Sequence, residues 1–163
     1  MKRYLFVIAM IAVSSLGAGA VVAQQKPNKQ LSTEAARGKY LAQIAGCNDC
    51  HTAGYAISGG KVEEKLWLTG DQLGWRGPWG TTYPPNLRLL VQNLTADQFM
   101  VRARSQVRPP MPWFNLRVMS DRDVKAIYAY LRYLGPAGEP APPYIAPDQK
   151  PGGPFVQFPV PPE

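Results

Sequence analysis

The sequence predicts an all-α fold: one small helical domain with long loops rich in glycine and proline. Three segments combine apolar residues at helical spacing with residues that cap helix ends. No run alternates apolar and polar residues over the length that a sheet would need. The stretch 52–93 is rich in glycine, proline and aromatic residues and lacks sustained periodicity, so we expect loops there with at most one short helix.

The 163 residues divide into four parts. We expect a signal peptide at 1–23, a polar lead-in at 24–31, the helical domain at 32–135 and a proline-rich tail at 136–163. The tail contains ten of the seventeen prolines, so we expect it to be extended, polyproline-like or disordered. It could serve as a docking strap for a partner, wrap its own domain, or be a floppy end.

The first 23 residues resemble a secretory signal. Lys2 and Arg3 form a basic start, an apolar run follows, and small residues end at Ala23. The apolar run is short for a membrane anchor, so we expect cleavage, export to the periplasm and no stable transmembrane anchor. The formal charge is +7, but no basic run is interleaved with aromatic residues, so nucleic acid is not an expected partner.

The first two helices are predicted from their caps. One runs over about 33–45, with Ser32 or Thr33 as cap and Tyr40, Leu41 and Ile44 on one face. The second follows a capping box at residues 95–98 and ends near Gln106.

The third helix has the clearest pattern. Ser120 and Asp123 form a capping pair, and residues 124, 127, 128 and 131 are apolar or aromatic at helical spacing. Gly135-Pro136 ends it.

The cofactor prediction depends on Cys47, Cys50 and His51, which form a Cys-x-x-Cys-His motif. This motif is the attachment signature of c-type haem. Two cysteines one helical turn apart can each form a thioether with a haem vinyl group, and the adjacent imidazole then lies beneath the iron. We therefore predict one covalently bound haem c.

Three other interpretations of the motif are weaker. Structural zinc uses four ligands, and a carboxylate such as Asp49 would have to complete the set. A thioredoxin-like dithiol belongs beside a βαβ pattern, which is not visible. A plain disulfide would leave the placement of His51 unexplained.

The sixth iron position can stay open or be closed by Met or another His. His51 is the only histidine. Met100 lies inside the second helix, where it is typical core filling, and Met119 directly precedes the third helix as part of a hydrophobic staple. Met111 lies in a loop stiffened by three prolines, so it is the predicted second ligand.

With these motifs in place, the chain resembles class I c-type cytochromes, more narrowly the bacterial monohaem domains found alone or as cytochrome subunits of periplasmic dehydrogenases. The likeness covers about 32–135 and rests on five stretches in family order: residues 37–41, 80–87, 110–113, 120–121 and 129–131. Many relatives carry a Pro-Asn-hydroxyl-Pro stretch after the middle motif, whereas this chain continues with Leu87, so residues 87–91 could be helical or partner-facing.

The resemblance implies further residue roles. A glycine of the first helix lets the last helix approach, which assigns Gly38 against Tyr128 or Leu131. Side chains from the middle loops shield the haem propionates, and the candidates here are Arg76, Trp79, Tyr83 and Asn86. Candidate walls of the haem pocket are Leu41, Ile44, Trp113, Phe114 and Ile127.

The predicted function is single-electron transfer by a periplasmic monohaem cytochrome, without enzymatic activity of its own. It could be a soluble carrier, or a subunit or partner of a periplasmic dehydrogenase, a membrane respiratory complex or an oxidase. The alternative is a haem enzyme or gas-binding sensor with an open or weakly ligated sixth position, which requires that Met111 does not bind.

Overall fold

The computed structural model describes residues 30–159. The predicted signal peptide at 1–23, most of the polar lead-in and the last four residues of the tail lie outside the described residues. Within the described part, no helix combines the length and the apolar character needed to cross a membrane.

Six α-helices form most of the regular structure between residues 30 and 159. They are α1 (Thr33–Ile44), α2 (Cys47–His51), α3 (Leu87–Leu90), α4 (Ala96–Arg104), α5 (Trp113–Val118) and α6 (Asp121–Leu134). Two 3-10 turns, Glu64–Leu66 and Val91–Asn93, connect them. The three predicted helices are α1, α4 and α6, whereas α2 and α5 were not expected as separate helices.

The caps of these helices are confirmed. The side chain of Ser32 accepts from the Ala35 amide, and that of Ser120 accepts from the Asp123 amide. At α4 the capping box is complete, with Thr95 and Gln98 bonding each other's backbone amides. Helix α6 ends at Gly135, whose φ of 70° suits glycine.

Helices α1 and α6 cross at Gly38. A Cβ added to Gly38 would lie 1.9 Å from the Ala126 carbonyl oxygen and 2.8 Å from the Tyr130 Cβ. The close approach was predicted, but the assigned partners Tyr128 and Leu131 were wrong. The Tyr128 hydroxyl instead donates a hydrogen bond to the Leu94 carbonyl at 2.8 Å.

The buried face of α1 also differs from the predicted one. Tyr40 and Ile44 are exposed, whereas the small residues Ala35 and Ala42 are buried together with Leu41. The crossing explains the difference, because two backbones this close leave room only for small side chains between them.

A small sheet corrects the all-α prediction. Strand β1 (Gly74–Gly77) pairs antiparallel with β2 (Gly80–Thr82) and parallel with β3 (Phe155–Gln157), giving the order β2-β1-β3. Each strand has three or four residues, too few for alternation to be visible in the sequence. The described part is therefore mostly helical with one minor sheet.

The tail wraps its own domain over residues 136–159. Ile145 exchanges backbone hydrogen bonds with Thr81, and β3 lies along β1. The Arg76 guanidinium donates to the carbonyls of Pro147 at 2.9 Å and Gln149 at 2.7 Å. Over residues 136–159 the structure therefore shows the tail wrapped on its own domain, and its role as a docking strap stays a prediction.

Candidate haem site

A cavity of about 1020 Å³ lies between the helices and the tail. This volume is at the upper end of the range for ligand pockets, roughly 300–1,000 Å³. Its walls come from α2, the β1–β2 hairpin, α3, α4, α5, α6 and the tail, and most of the lining side chains are apolar. The sequence-predicted residues Cys47, Cys50, His51, Tyr83 and Met111 all line it.

Helix α2 places the two cysteines three residues apart, one helical turn, on the cavity. Gly46 allows the sharp turn out of α1 that brings them there. Its φ is 69°, and an added Cβ would meet the Asp49 carboxylate at 2.9 Å. The cysteines are free thiols, so no disulfide closes the motif.

Burial keeps both thiols protonated. Desolvation raises the pKa of Cys47 from 9.0 to about 11, and it raises the pKa of Cys50 in the same direction. Asp49 adds to both shifts, because its negative charge disfavours a second one nearby. At neutral pH both side chains are therefore neutral S–H groups facing an apolar space, rather than reactive thiolates.

His51 is held in one tautomer by the middle loop. Its Nδ1 lies 2.8 Å from the Pro85 carbonyl oxygen. A carbonyl only accepts, so Nδ1 carries the hydrogen and Nε2 keeps its lone pair. Burial lowers the pKa of His51, against the opposing effect of the hydrogen bond, so the ring is neutral near pH 7. A neutral imidazole oriented by a backbone carbonyl is the form that ligates metals.

Two methionines, Met111 and Met119, line the cavity, and Met100 does not. Met111 lies between two prolines, and its carbonyl accepts from the Trp113 amide at 2.9 Å. The Thr82 hydroxyl donates to the Pro109 carbonyl at 2.8 Å and ties this loop to β2. Met119 packs partly against the hydrophobic core. The assignment of Met111 as iron ligand stays a prediction.

Of the four residues assigned to the propionates, the structure brings only Tyr83 to the cavity. Arg76 bonds the tail carbonyls and Thr81. Trp79 packs its ring on Phe158, with centroids 5.2 Å apart. The Asn86 side chain caps α3 and donates to the carbonyl of Ala137 at 2.8 Å.

Only some of the five residues predicted to line the haem pocket lie at the cavity. Trp113 and Ile127 line the cavity, Leu41 lies in the core, and Ile44 and Phe114 are exposed.

Sequence reasoning assigned no role at this site to many of the lining residues, among them Arg102, Arg108, Pro142 and Tyr144. Both arginines precede Met111 in the sequence, by nine and three residues, which is the one signal that could have indicated them. Nothing local indicates the tail residues, because they reach the cavity only through long-range pairing.

The donor set fits a covalently attached haem. Two neutral thiols one turn apart, an imidazole with a free Nε2 and a thioether share one apolar cavity. Within residues 30–159, no group of three or more His, Cys, Asp or Glu side chains is arranged to hold a metal ion.

The chain is similar to cytochrome subunits of two dehydrogenases. It is 27% identical over 146 residues to the cytochrome c subunit of alcohol dehydrogenase (quinone) from Gluconobacter oxydans (strain 621H), covering 82% of this chain and 27% of that protein. It is 30% identical over 127 residues to the fructose dehydrogenase cytochrome subunit from Gluconobacter japonicus, covering 65% of this chain and 22% of that protein.

The chain thus spans about a quarter of the length of these curated relatives. No protein-family model and no solved structure matches it. The two similarities support a cytochrome c domain in this chain.

Proposed function

We propose that this chain is a periplasmic monohaem c-type cytochrome that carries single electrons, as a soluble carrier or as the cytochrome subunit or partner of an oxidoreductase. The observation that supports this most is the shared cavity of Cys47, Cys50, His51 and Met111. Similarity to cytochrome subunits supports the same function independently.

Cys47 and Cys50 would hold the haem covalently. Each thiol would supply one thioether link to a vinyl group of the haem. The short helix α2 fixes the spacing of the two sulfurs.

His51 and Met111 would hold the haem iron. When bound, haem iron supplies reversible one-electron chemistry. The Pro85 carbonyl fixes the His51 ring, and the prolines around Met111 limit the motion of the thioether loop. Two side chains held in place in this way would limit reorganisation between oxidation states, and ligation by Met111 would keep small molecules off the iron.

The expected electron donors and acceptors are proteins. The relatives are named as subunits of a quinone alcohol dehydrogenase and of fructose dehydrogenase. By that similarity, a periplasmic dehydrogenase would deliver electrons to this chain, which would pass them to a membrane respiratory complex or an oxidase. In this proposal the polypeptide performs no bond-making chemistry on a substrate.

Mass spectrometry tests the cofactor directly. The full chain is produced in cells with haem-attachment machinery, and we expect the secreted protein to carry the mass of one haem that denaturation does not remove. A matched variant with both Cys47→Ala and Cys50→Ala should lack this mass. A wild-type protein of polypeptide mass alone would refute the proposed function.

Carbon monoxide separates a carrier from an open-iron enzyme or sensor. Closed iron should bind carbon monoxide slowly in the ferrous state, and the ferric state should show a sulfur-to-iron charge-transfer band. Rapid binding without that band would favour the enzyme or sensor instead.

A further inference from the structure

The charged side chains that line the cavity are all of one sign. Arg102 from α4 and Arg108 from the loop before Met111 contribute to its wall, and no Asp or Glu of the described chain does. An apolar cavity with two cations suits a ligand that is largely apolar and carries two negative charges.

These two arginines are also unusual among the described arginines in having no polar partner. The guanidinium groups of six others donate to carboxylates or backbone carbonyls, as Arg37 does to Asp123 at 2.5 Å and Arg104 to Asp121 at 2.8 Å. The six are Arg37, Arg76, Arg88, Arg104, Arg117 and Arg132. Over residues 30–159, only Arg102, Arg108 and Arg122 have a guanidinium without a hydrogen bond or ion pair, and two of these three line the cavity.

Arg108 is nevertheless held in place. Its guanidinium carbon lies 3.8 Å from the centre of the Tyr144 ring. The Tyr144 hydroxyl donates to the Trp79 carbonyl at 3.0 Å, and the next residue, Ile145, pairs with Thr81 on β2. Stacking occupies the face of a guanidinium and leaves the N–H donors at its edge available for an acceptor.

We propose that Arg102 and Arg108 bind the two haem carboxylates, and that Tyr144 of the tail is the positioning residue for Arg108. This inference rests on the proposed function. The sequence analysis assigned a haem propionate to Arg76, but the Arg76 guanidinium already donates to the tail carbonyls. The proposal assigns the propionates instead to the two arginines that precede Met111. In this proposal the tail forms part of the haem site, because Pro142 and Tyr144 line the cavity.

The test compares Arg108→Gln with Arg122→Gln in the haem-loaded full chain. Both variants lose one positive charge from an exposed arginine without a polar partner, but Arg122 does not line the cavity. Removing the partner of a haem carboxylate leaves its negative charge free to stabilise ferric iron, so the reduction potential should fall further in Arg108→Gln. Arg102→Gln should show a fall of the same sign.

Two tyrosine variants test the positioning role. Tyr144→Phe keeps the ring under Arg108, so its potential should stay near that of the wild type. Tyr144→Leu removes the ring and should lower the potential. In the double variant with Arg108→Gln, Tyr144→Leu should lower the reduction potential by less than it does alone, because both changes act on one interaction.

The outcomes separate this inference from the function on which it rests. Equal potentials in Arg108→Gln and Arg122→Gln, with the haem attached and the charge-transfer band intact, would overturn the inference and leave the cytochrome in place. The inference is also overturned if Arg108→Gln keeps the wild-type potential and only slows reduction by an acidic partner protein, which would make Arg108 a docking residue. Absence of covalent haem from the wild type would overturn the function itself.

Discussion

Met111 and Met119 both line the cavity, but their backbones are held differently. The Met119 carbonyl accepts from Arg104 at 2.8 Å, and its side chain packs partly into the core next to α6. Met111 has a proline on either side and belongs to no helix. A thioether that is free of core packing can be committed to iron without a loss of packing elsewhere.

Alanine substitutions of the two methionines should therefore affect different properties of the protein. Met111→Ala should abolish the charge-transfer band, lower the reduction potential and allow rapid carbon monoxide binding, because it removes the proposed second iron ligand. Met119→Ala should keep the band and reduce the free energy of unfolding by about 1–2 kcal/mol, below the cost for a fully buried methionine. Loss of the band in Met119→Ala alone would reverse the ligand assignment.

Residue types with rare chemistry were the easiest to predict from the sequence. Cys47, Cys50 and His51 were identifiable because the chain has two cysteines and one histidine, all within five positions. Arginine is common in this chain, and its role depends on what surrounds each guanidinium. Arg76 was therefore assigned by resemblance, whereas Arg108 and Tyr144 come together only through contacts that join distant parts of the chain.

Among the helices, predictability follows the range of the interactions that define each one. The caps of α1, α4 and α6 are formed within three residues of each helix start, so the sequence displays them. Helix α5 has no side-chain cap and no fully buried residue, so neither signal was present. The sheet depends on pairing between β1 and β3, which lie about eighty residues apart. No local pattern can report such a contact.

The close crossing of α1 and α6 predicts that adding one methyl group at Gly38 destabilises the domain. Gly38→Ala would place a Cβ 1.9 Å from the Ala126 carbonyl oxygen, a backbone atom that moves only with its helix. We expect the free energy of unfolding to fall by about 1–3 kcal/mol or more, as for other overpacked interiors. Urea unfolding followed by helical circular dichroism measures this.

Gly152→Ala serves as the control for this substitution. A Cβ at Gly152 would have no neighbour within 4 Å, so its effect should be close to zero. Equal stabilities of the two alanine variants would contradict the close crossing.

At the scale of the whole molecule, the tail completes the domain. The segment 136–139 is tied to Asn86 through the carbonyls of Ala137 and Glu139, at 2.8 and 3.2 Å. The segment 142–149 forms cavity wall at Pro142 and Tyr144 and is fastened by Arg76. The segment 155–158 adds β3 and places Phe158 against Trp75 and Trp79, with centroids 6.0 and 5.2 Å apart. Each of the three segments therefore makes its own contacts with the domain, and each can be removed separately.

Two truncations of the tail distinguish these contributions in the haem-loaded protein. A chain that ends at Lys150 loses β3 but keeps Tyr144 and the carbonyls of Pro147 and Gln149 that bind Arg76, so we expect a potential and a carbon monoxide binding rate close to those of the full chain. A chain that ends at Glu139 keeps the Asn86 contacts but opens the cavity wall to water. Water around the haem stabilises the more highly charged ferric state, so the potential should fall and carbon monoxide should bind faster. If the Glu139 truncation matched the full chain in both measurements while its helical content was unchanged, the tail would be a covering of the domain and not a wall of its haem site.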